Sequence, residues 1–323
     1  MAGRIPRAVA RALLAPPLAD VGFARRGFPG RDSPAARNLE RIPEAVVCGF
    51  EWGMETRHLG EAEHRLETVD VALRGFAYEG TTMAFTVRDA LPVGESDRTR
   101  DLMDGPARPH TFLAYIGIGF AMARLPRRLW RSVLPELTDN PYHPTMSWLA
   151  VDGYGFDLAY FDTRRWVDRQ DTPHTYPWLG APDYFPRAFD QGVGRALWFI
   201  HGARCAAVAD AVRAFPEHRR SDLWSGVGLA AAFAGGAESG PLTELLGSAG
   251  PDAPHVAQGA VFAAKRGCTP DACPTTPHRG RALTGLGTVA AAALADDHAV
   301  EPGERGGVPA YEVLRSGIRE HFS

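Results

Sequence analysis

The sequence lacks the features that mark the common binding classes. Lys265 is the only lysine among 35 basic residues, and the net charge is −3 at pH 7. No run of basic residues with interleaved aromatic side chains occurs, which argues against nucleic-acid binding. The weak net charge gives no attraction to an anionic membrane. We therefore expect no nucleic-acid partner.

Long apolar runs and cysteines are also scarce. No uncharged apolar stretch reaches the roughly 18 residues that a membrane-spanning helix needs. Arg7 and Arg11 interrupt the amino-terminal apolar residues, and no cleavage site for secretion follows them. The 4 cysteines are few, which is typical of a reducing compartment. The sequence predicts a cytoplasmic protein without a membrane span.

Motifs for cofactor, metal and nucleophile chemistry are missing. No Gly-x-Gly copy has the preceding strand, third glycine and later acidic residue of a dinucleotide site. No Gly-x-Ser-x-Gly nucleophile motif is present. The spacing of Cys268 and Cys273 does not suit zinc, and no fourth ligand accompanies them and His278. We expect no bound metal, and the sequence does not identify a cofactor.

Glycines, by contrast, recur inside apolar segments at a loose period of about 35 residues, the length of a helix pair in a solenoid. The first glycines of these segments are Gly53, Gly80, Gly117, Gly153, Gly192, Gly226, Gly259 and Gly285. Apolar residues flank them at steps of four, as at Ala114, Ile118 and Met122, which favours helices over strands.

Paired glycines need a reason, because each costs about 1 kcal/mol relative to alanine inside a helix. Residues i and i+2 lie on different helix faces. A Gly-x-Gly pair therefore thins a helix on two sides, as suits a helix packed between a preceding and a following neighbour. The predicted fold is mainly α, a helical-repeat array with irregular loops. We expect spaces between its layers to hold a long apolar molecule.

The array is predicted to span residues 41–295, as one domain or as two pseudo-repeated halves, between an arm (1–40) and a tail (296–323). Within it, residues 149–161 are aromatic-rich and compatible with a strand, and proline-rich residues 163–186 suggest a loop.

Companion helices are expected between the glycine segments. One is predicted over residues 204–215, and Ser221 or Asp222 is expected to cap the helix that follows. Gly267 is expected to end a helix. A short helix is predicted near the end of the tail, over residues 310–322.

The residue before the first glycine is polar in several segments: Glu79, Asp152, Gln191, Ser225 and Gln258. Two interpretations are open. On one concave surface, Glu79 and Asp152 would serve as general acid and base. Alternatively, these side chains cap helices or hydrogen-bond between adjacent helices, the commoner use of buried polar groups.

A dense polar cluster surrounds Gly192. We expect Asp190 to pair with Arg195 or Arg220. Trp224 belongs either to the core or to an aromatic groove for an elongated apolar ligand. The candidate ligand-binding residues are thus Asp190, Gln191, Arg195, Trp224 and Gln258.

Six phrases, in order, resemble one protein family. They are FARRGF (23–28), RGFAYEG (74–80), AVDGYGF (150–156), FDQGVGR (189–195), LWSGVGL (223–229) and QGAVFAAK (258–265). On these phrases the sequence resembles the UnbL-type family of enediyne biosynthesis proteins, which is domain of unknown function 1702. The resemblance extends from about residue 23 to about residue 294. Residues 157–161 depart from the family phrase, which has a second glycine there.

The resemblance implies a pathway and no catalytic residue. It implies a protein of actinomycete secondary metabolism, in the cassette that builds the enediyne core beside an iterative polyketide synthase and its thioesterase. The first expectation is an enzyme acting on the polyene made by that synthase. The second is a non-catalytic carrier or scaffold that binds the polyene or other cassette proteins. A regulator or self-resistance protein is a third, and a homodimer is compatible with each.

Overall fold

The computed structural model describes residues 18–91, 97–265, 276–301, 304–305 and 307–323. These residues are mainly α-helical, which confirms the predicted fold class at that level. The strands among them are β1 (Glu304–Arg305) and β2 (Val308–Pro309), which pair antiparallel. Within the described ranges, every helix is too short or too polar to cross a bilayer.

The α-helices of the described residues are α1 (Leu18–Val21), α2 (Phe23–Arg26), α3 (Pro34–Glu55), α4 (Leu59–Glu67), α5 (Val71–Ala90), α6 (Arg98–Asp104), α7 (Thr111–Arg124), α8 (Trp148–Phe161), α9 (Phe185–Ile200), α10 (Cys205–Ala214), α11 (Glu217–Phe233), α12 (Ser239–Ala249), α13 (Ala253–Ala263), α14 (Thr276–Thr284), α15 (Thr288–Asp297) and α16 (Ala310–Glu320).

Helices α3, α5, α7, α8, α9, α11 and α13 form a row in which each packs on the next. Glycines stand at these contacts, where a Cβ would overlap the backbone of the neighbouring helix. In α8, Gly153 lies against Ile116 of the preceding α7, and Gly155 lies against Phe189 of the following α9. The two glycines of a pair therefore face opposite neighbours, as the Gly-x-Gly pattern predicts.

This packing places the polar residue before each first glycine between two helices. Gly192 rests on the carbonyl oxygen of Asp152, and Gly226 rests on that of Gln191. The same relation joins Gly259 to Ser225. Because the backbones approach so closely, the side chains of these polar residues are held within reach of one another across the row.

Some local predictions need correction. Residues 149–161 belong to α8 and not to a strand. They are buried on most sides, so their pattern lacks the polar face that marks a helix. Ser221 and Asp222 do not cap α11, which begins earlier, at Glu217, directly after Pro216. Gly267, Cys268 and Cys273 lie outside the described residues.

Other local predictions agree with the structure. Residues 163–186 hold only short helical turns before α9, and α10 and α16 match the helices predicted at 204–215 and 310–322.

The expected companion helices are present in only part of the row. They are missing from the described residues between α7 and α8 and between α8 and α9, where prolines interrupt the chain. The predicted domain limits at residues 40 and 295 fall inside α3 and α15.

Candidate functional site

Glu79 lines an apolar cavity of about 60 Å³ in the core. Its side chain lies on α5, and the residue is 2% exposed. The wall of the cavity comes from five helices of the row and from Val21 of α1. It consists of Val21, Ile42, Pro43, Val46, Val47, Phe76, Glu79, Met83, Phe120, Arg124, Phe156, Asp157, Tyr160, Phe161, Arg195 and Phe199.

Glu79 holds a proton at neutral pH. Burial in apolar surroundings raises the pKa of its carboxyl group, Arg195 opposes the shift and the charge of Asp152 adds to it, which together give a pKa of about 8. Among the described residues, the carboxyl group accepts no hydrogen bond and forms no ion pair. A neutral carboxylic acid that faces a cavity can donate a proton to a bound molecule.

Arg195 of α9 is the basic group beside this acid. Its Nε donates to Oδ1 of Asp152 at 2.5 Å, and its guanidinium lies 4.7 Å from the centre of the Phe156 ring. Its Nη2 is buried without a partner in the described structure. A buried guanidinium N–H without an acceptor is a site at which negative charge is stabilised.

Asp152 of α8 is fully buried and held from two sides. Besides Arg195, the amide Nε2 of Gln191 donates to its Oδ2 at 2.7 Å. Burial raises the pKa of Asp152 overall, and Arg195 and the hydrogen bond from Gln191 oppose this shift without cancelling it. Asp152 is therefore the counter-ion of Arg195, and Glu79 remains the free acid of the site.

A chain of hydrogen bonds extends from Asp152 away from the cavity. The amide oxygen of Gln191 faces the hydroxyl groups of Ser225 and Tyr311, at 3.3 and 3.1 Å. Ser225 also contacts the amide oxygen of Gln258 at 2.8 Å, and that oxygen accepts from Nε of Arg315 at 3.1 Å. The polar residues before the glycines thus bond between adjacent helices, except Glu79.

The predicted site residues divide into two groups. Glu79 and Arg195 line the cavity, Asp152 and Gln191 join Arg195 through hydrogen bonds, and Gln258 is linked to Gln191 through Ser225. Asp190 does not, and its predicted partner was wrong. It pairs with Arg219, at 2.6 and 2.9 Å, and not with Arg195 or Arg220. Arg195 instead bonds to Asp152. Trp224 is 2% exposed and lies outside the cavity wall.

Sequence reasoning missed four residues of the site. Arg124 and Asp157 form a two-bond pair at 2.6 and 2.9 Å on the cavity wall. The signal for Asp157 was a carboxylate inside an apolar run, which requires a partner when buried. Tyr311 and Arg315 come from α16, and no local pattern connects that helix with residues about 120 positions earlier.

The interior is filled more completely than the expected layered groove. Phe76 of α5 contacts Phe233 of α11 edge to face, and Phe112 of α7 contacts Phe262 of α13 in the same way. These rings fill the space between opposite helices of the row. Sites for drug-sized ligands have volumes of roughly 300–1,000 Å³. The cavity beside Glu79 therefore admits only a few atoms, and a longer molecule could enter it only if the cavity widened.

Among the described residues, no three His, Cys, Asp or Glu side chains converge as they would around a metal ion. Cys48 and Cys205 are free and half-buried, and burial raises the pKa of both thiols.

Comparison with known proteins gives a family and no function. No curated protein and no solved structure matches the chain. The model of the family described as "Protein of unknown function (DUF1702)" matches residues 5–322. Because this match covers nearly the whole chain, the protein belongs to the DUF1702 family.

Proposed function

We propose that the protein is an enzyme of enediyne core biosynthesis, in the cytoplasm of an actinomycete, which transfers protons on an apolar polyketide-derived polyene. The pathway rests on the resemblance of six phrases to the UnbL-type proteins. The chemistry rests on one observation, the unpartnered Glu79 carboxyl group in an apolar cavity beside Arg195. We also propose that the glycine-marked helices are copies of one repeated unit.

The pair suits movement of double bonds. A neutral Glu79 can protonate one atom of a conjugated chain, and the carboxylate that results can take a proton from another atom, so no net proton is consumed. The guanidinium of Arg195 stabilises negative charge on an oxygen of the same chain. The aromatic wall suits a conjugated chain, and the reaction needs neither a metal nor a redox cofactor.

Access to Glu79 requires movement, because the cavity has room for only a few atoms. In α3, Pro43 lies inside the helix and lines the cavity. Proline lacks the N–H that would bond to the carbonyl four residues earlier. We propose that α3 bends there to admit the end of the substrate.

The decisive experiment is deletion of the gene from its cluster, with mass spectrometry of what accumulates, followed by complementation with single variants. We expect Glu79→Gln and Asp152→Asn to leave the intermediate unconverted while circular dichroism shows the native helix content. The matched control is Glu244→Gln, on the exposed face of α12, which should restore production fully.

Full production by both site variants would overturn the proposed chemistry. If deletion of the gene stops production but both site variants restore it, the protein acts instead as a carrier or scaffold for the polyene and other cassette proteins. Co-purification with the synthase, and a test for a homodimer, would then identify the partner.

A further inference from the structure

The carboxy-terminal helix α16 is buried against the row and supplies polar groups to its interior. Tyr311 and Arg315 are both fully buried. Their side chains point to α9 and α13, where they contact Gln191 and Gln258. An amphipathic helix normally buries apolar groups, so two buried polar side chains on one face call for a specific role.

Helix α16 is fixed in place by ion pairs with other helices. Arg315 lies 2.9 Å from Oδ1 of Asp222 on α11 and donates to the hydroxyl of Tyr184 at 2.6 Å. Glu312 accepts from that hydroxyl at 2.5 Å and from Arg187 at 3.2 Å. These contacts hold the position of Tyr311, one residue before Glu312, relative to α9.

The hydroxyl of Tyr311 fixes which way the amide of Gln191 faces. It donates to the amide oxygen at 3.1 Å, so the amide nitrogen on the other side points at Asp152, 2.7 Å away. The other donor to that oxygen, Ser225, is 3.3 Å away and has a closer acceptor in Gln258 at 2.8 Å. Tyr311 is therefore the donor that commits Gln191 to one orientation.

We propose that α16 is part of the functional site and that Tyr311 is a positioning residue, which through Gln191 and Asp152 holds Arg195 away from Glu79. This inference rests on the proposed function of Glu79 as the proton-transferring acid. If Gln191 turns, Asp152 loses a donor and binds a proton more easily. Arg195 is then released toward Glu79, and the carboxyl group gives up its proton at lower pH.

The charged groups around Glu79 come from several helices. Arg195 lies on α9 and Asp152 on α8, while Arg124 of α7 and Asp157 of α8 form their own pair on the cavity wall. The side chains that α3 contributes to the wall are apolar. Besides burial, which raises the pKa of Glu79 most, the charges that act on it are those of Arg195 and Asp152.

The test is a pH titration of Glu79 in the whole protein. The infrared carbonyl band of the protonated carboxyl group reports the fraction of Glu79 that holds a proton. The band is assigned by difference from Glu79→Gln in the same background. In Tyr311→Phe we expect the midpoint to fall by roughly one pH unit. The control is Tyr115→Phe, which removes an equally buried hydroxyl group. That hydroxyl contacts His143 and takes no part in the hydrogen bonds between Tyr311, Gln191 and Asp152, so the midpoint should stay unchanged.

A purely structural role for Tyr311 would lower the melting temperature without moving this midpoint, and that result would overturn the inference. If Tyr311→Phe does not fold, Arg315→Lys serves instead. This variant keeps the positive charge but loses the Nε donor to Gln258. The midpoint of the Glu79 titration should then fall by less than one pH unit, and an unchanged midpoint would contradict the inference. Full enediyne production by Glu79→Gln would overturn the proposed function but not the inference about Tyr311, because the titration of Glu79 does not depend on turnover.

Discussion

Arg195 links the two buried carboxyl groups of the site. Its Nε donates to Asp152 at 2.5 Å, and its charge lowers the pKa of Glu79 without forming an ion pair with that group. An arginine is charged at all physiological pH values and needs one counter-ion when buried. Since Asp152 supplies that charge, Glu79 can stay neutral.

Stability should therefore depend on pH through Glu79. Its pKa is raised from 4.5 to about 8 on folding, so between these values the folded protein keeps a proton that the unfolded chain has released. The free energy of unfolding should fall as pH rises through that window and level off above it. Relative to wild type, Glu79→Gln should gain several kcal/mol, at most about 5, between pH 4 and pH 9.

Urea denaturation of both proteins across this range would measure the effect. The difference between them isolates Glu79, because other buried acids such as Asp190 titrate in both. Parallel stability curves would show that Glu79 is already ionised in the folded protein, contrary to its assignment as the acid.

Much of the fold follows from the glycine pattern. Residues i and i+2 of a Gly-x-Gly pair face different ways, so Gly153 and Gly155 predict two close neighbours for α8. The pattern does not give the contacts between helices far apart in the row, such as that of Phe76 with Phe233. Local periodicity carries no information on which side chains fill the space between such helices.

The close approach of α8 and α9 gives a direct test of this packing. A Cβ at Gly192 would overlap the carbonyl oxygen of Asp152 and the amide of Phe156, so Gly192→Ala should destabilise the protein by about 4 kcal/mol or more. Gly247 of α12 is exposed, and nothing lies within 4 Å of the place that a Cβ would occupy there. Gly247→Ala should be neutral or stabilise by up to about 1 kcal/mol. Thermal denaturation measures both, and equal effects would contradict the packing.

The buried pair of Asp190 and Arg219 should behave as a unit. Burial raises the pKa of Asp190 to about 6, and Arg219, which is 4% exposed, opposes the shift. Asp190→Asn leaves a buried guanidinium without its counter-ion and should cost about 3–5 kcal/mol. Adding Arg219→Met should recover much of that loss, which a double-mutant cycle in urea would show.

The exposed pair of Asp210 and Arg213 provides the comparison. Its cycle should give a coupling energy below about 1 kcal/mol. If the buried pair gave a coupling as small as this one, Asp190 would not depend on Arg219, and a ligand-binding role for Asp190 would regain support.

The polar residues of the site were predictable in kind but not in partnership. The polar residue that precedes the first glycine in several segments identified Glu79, Asp152, Gln191 and Gln258, because that position lies between helices of the row. The choice of Arg219 over Arg220 for Asp190 depends on where α11 begins. The role of Tyr311 depends on how α16 docks, and neither is encoded by local spacing.

Helix α3 should open more readily near Pro43 than the other helices of the cavity wall. Pro43 leaves the carbonyl of Leu39 without its usual helical partner, and the side chains of Ile42, Pro43 and Val46 cover the cavity. Amide hydrogen exchange followed by mass spectrometry should therefore show faster exchange in residues 39–47 than in α9, which is buried along most of its length.

Pro43→Ala restores the missing backbone donor. It should therefore slow amide exchange in residues 39–47 and, if α3 admits the substrate, slow turnover as well. Equal protection of the two helices in the wild-type protein would exclude α3 as the route to Glu79.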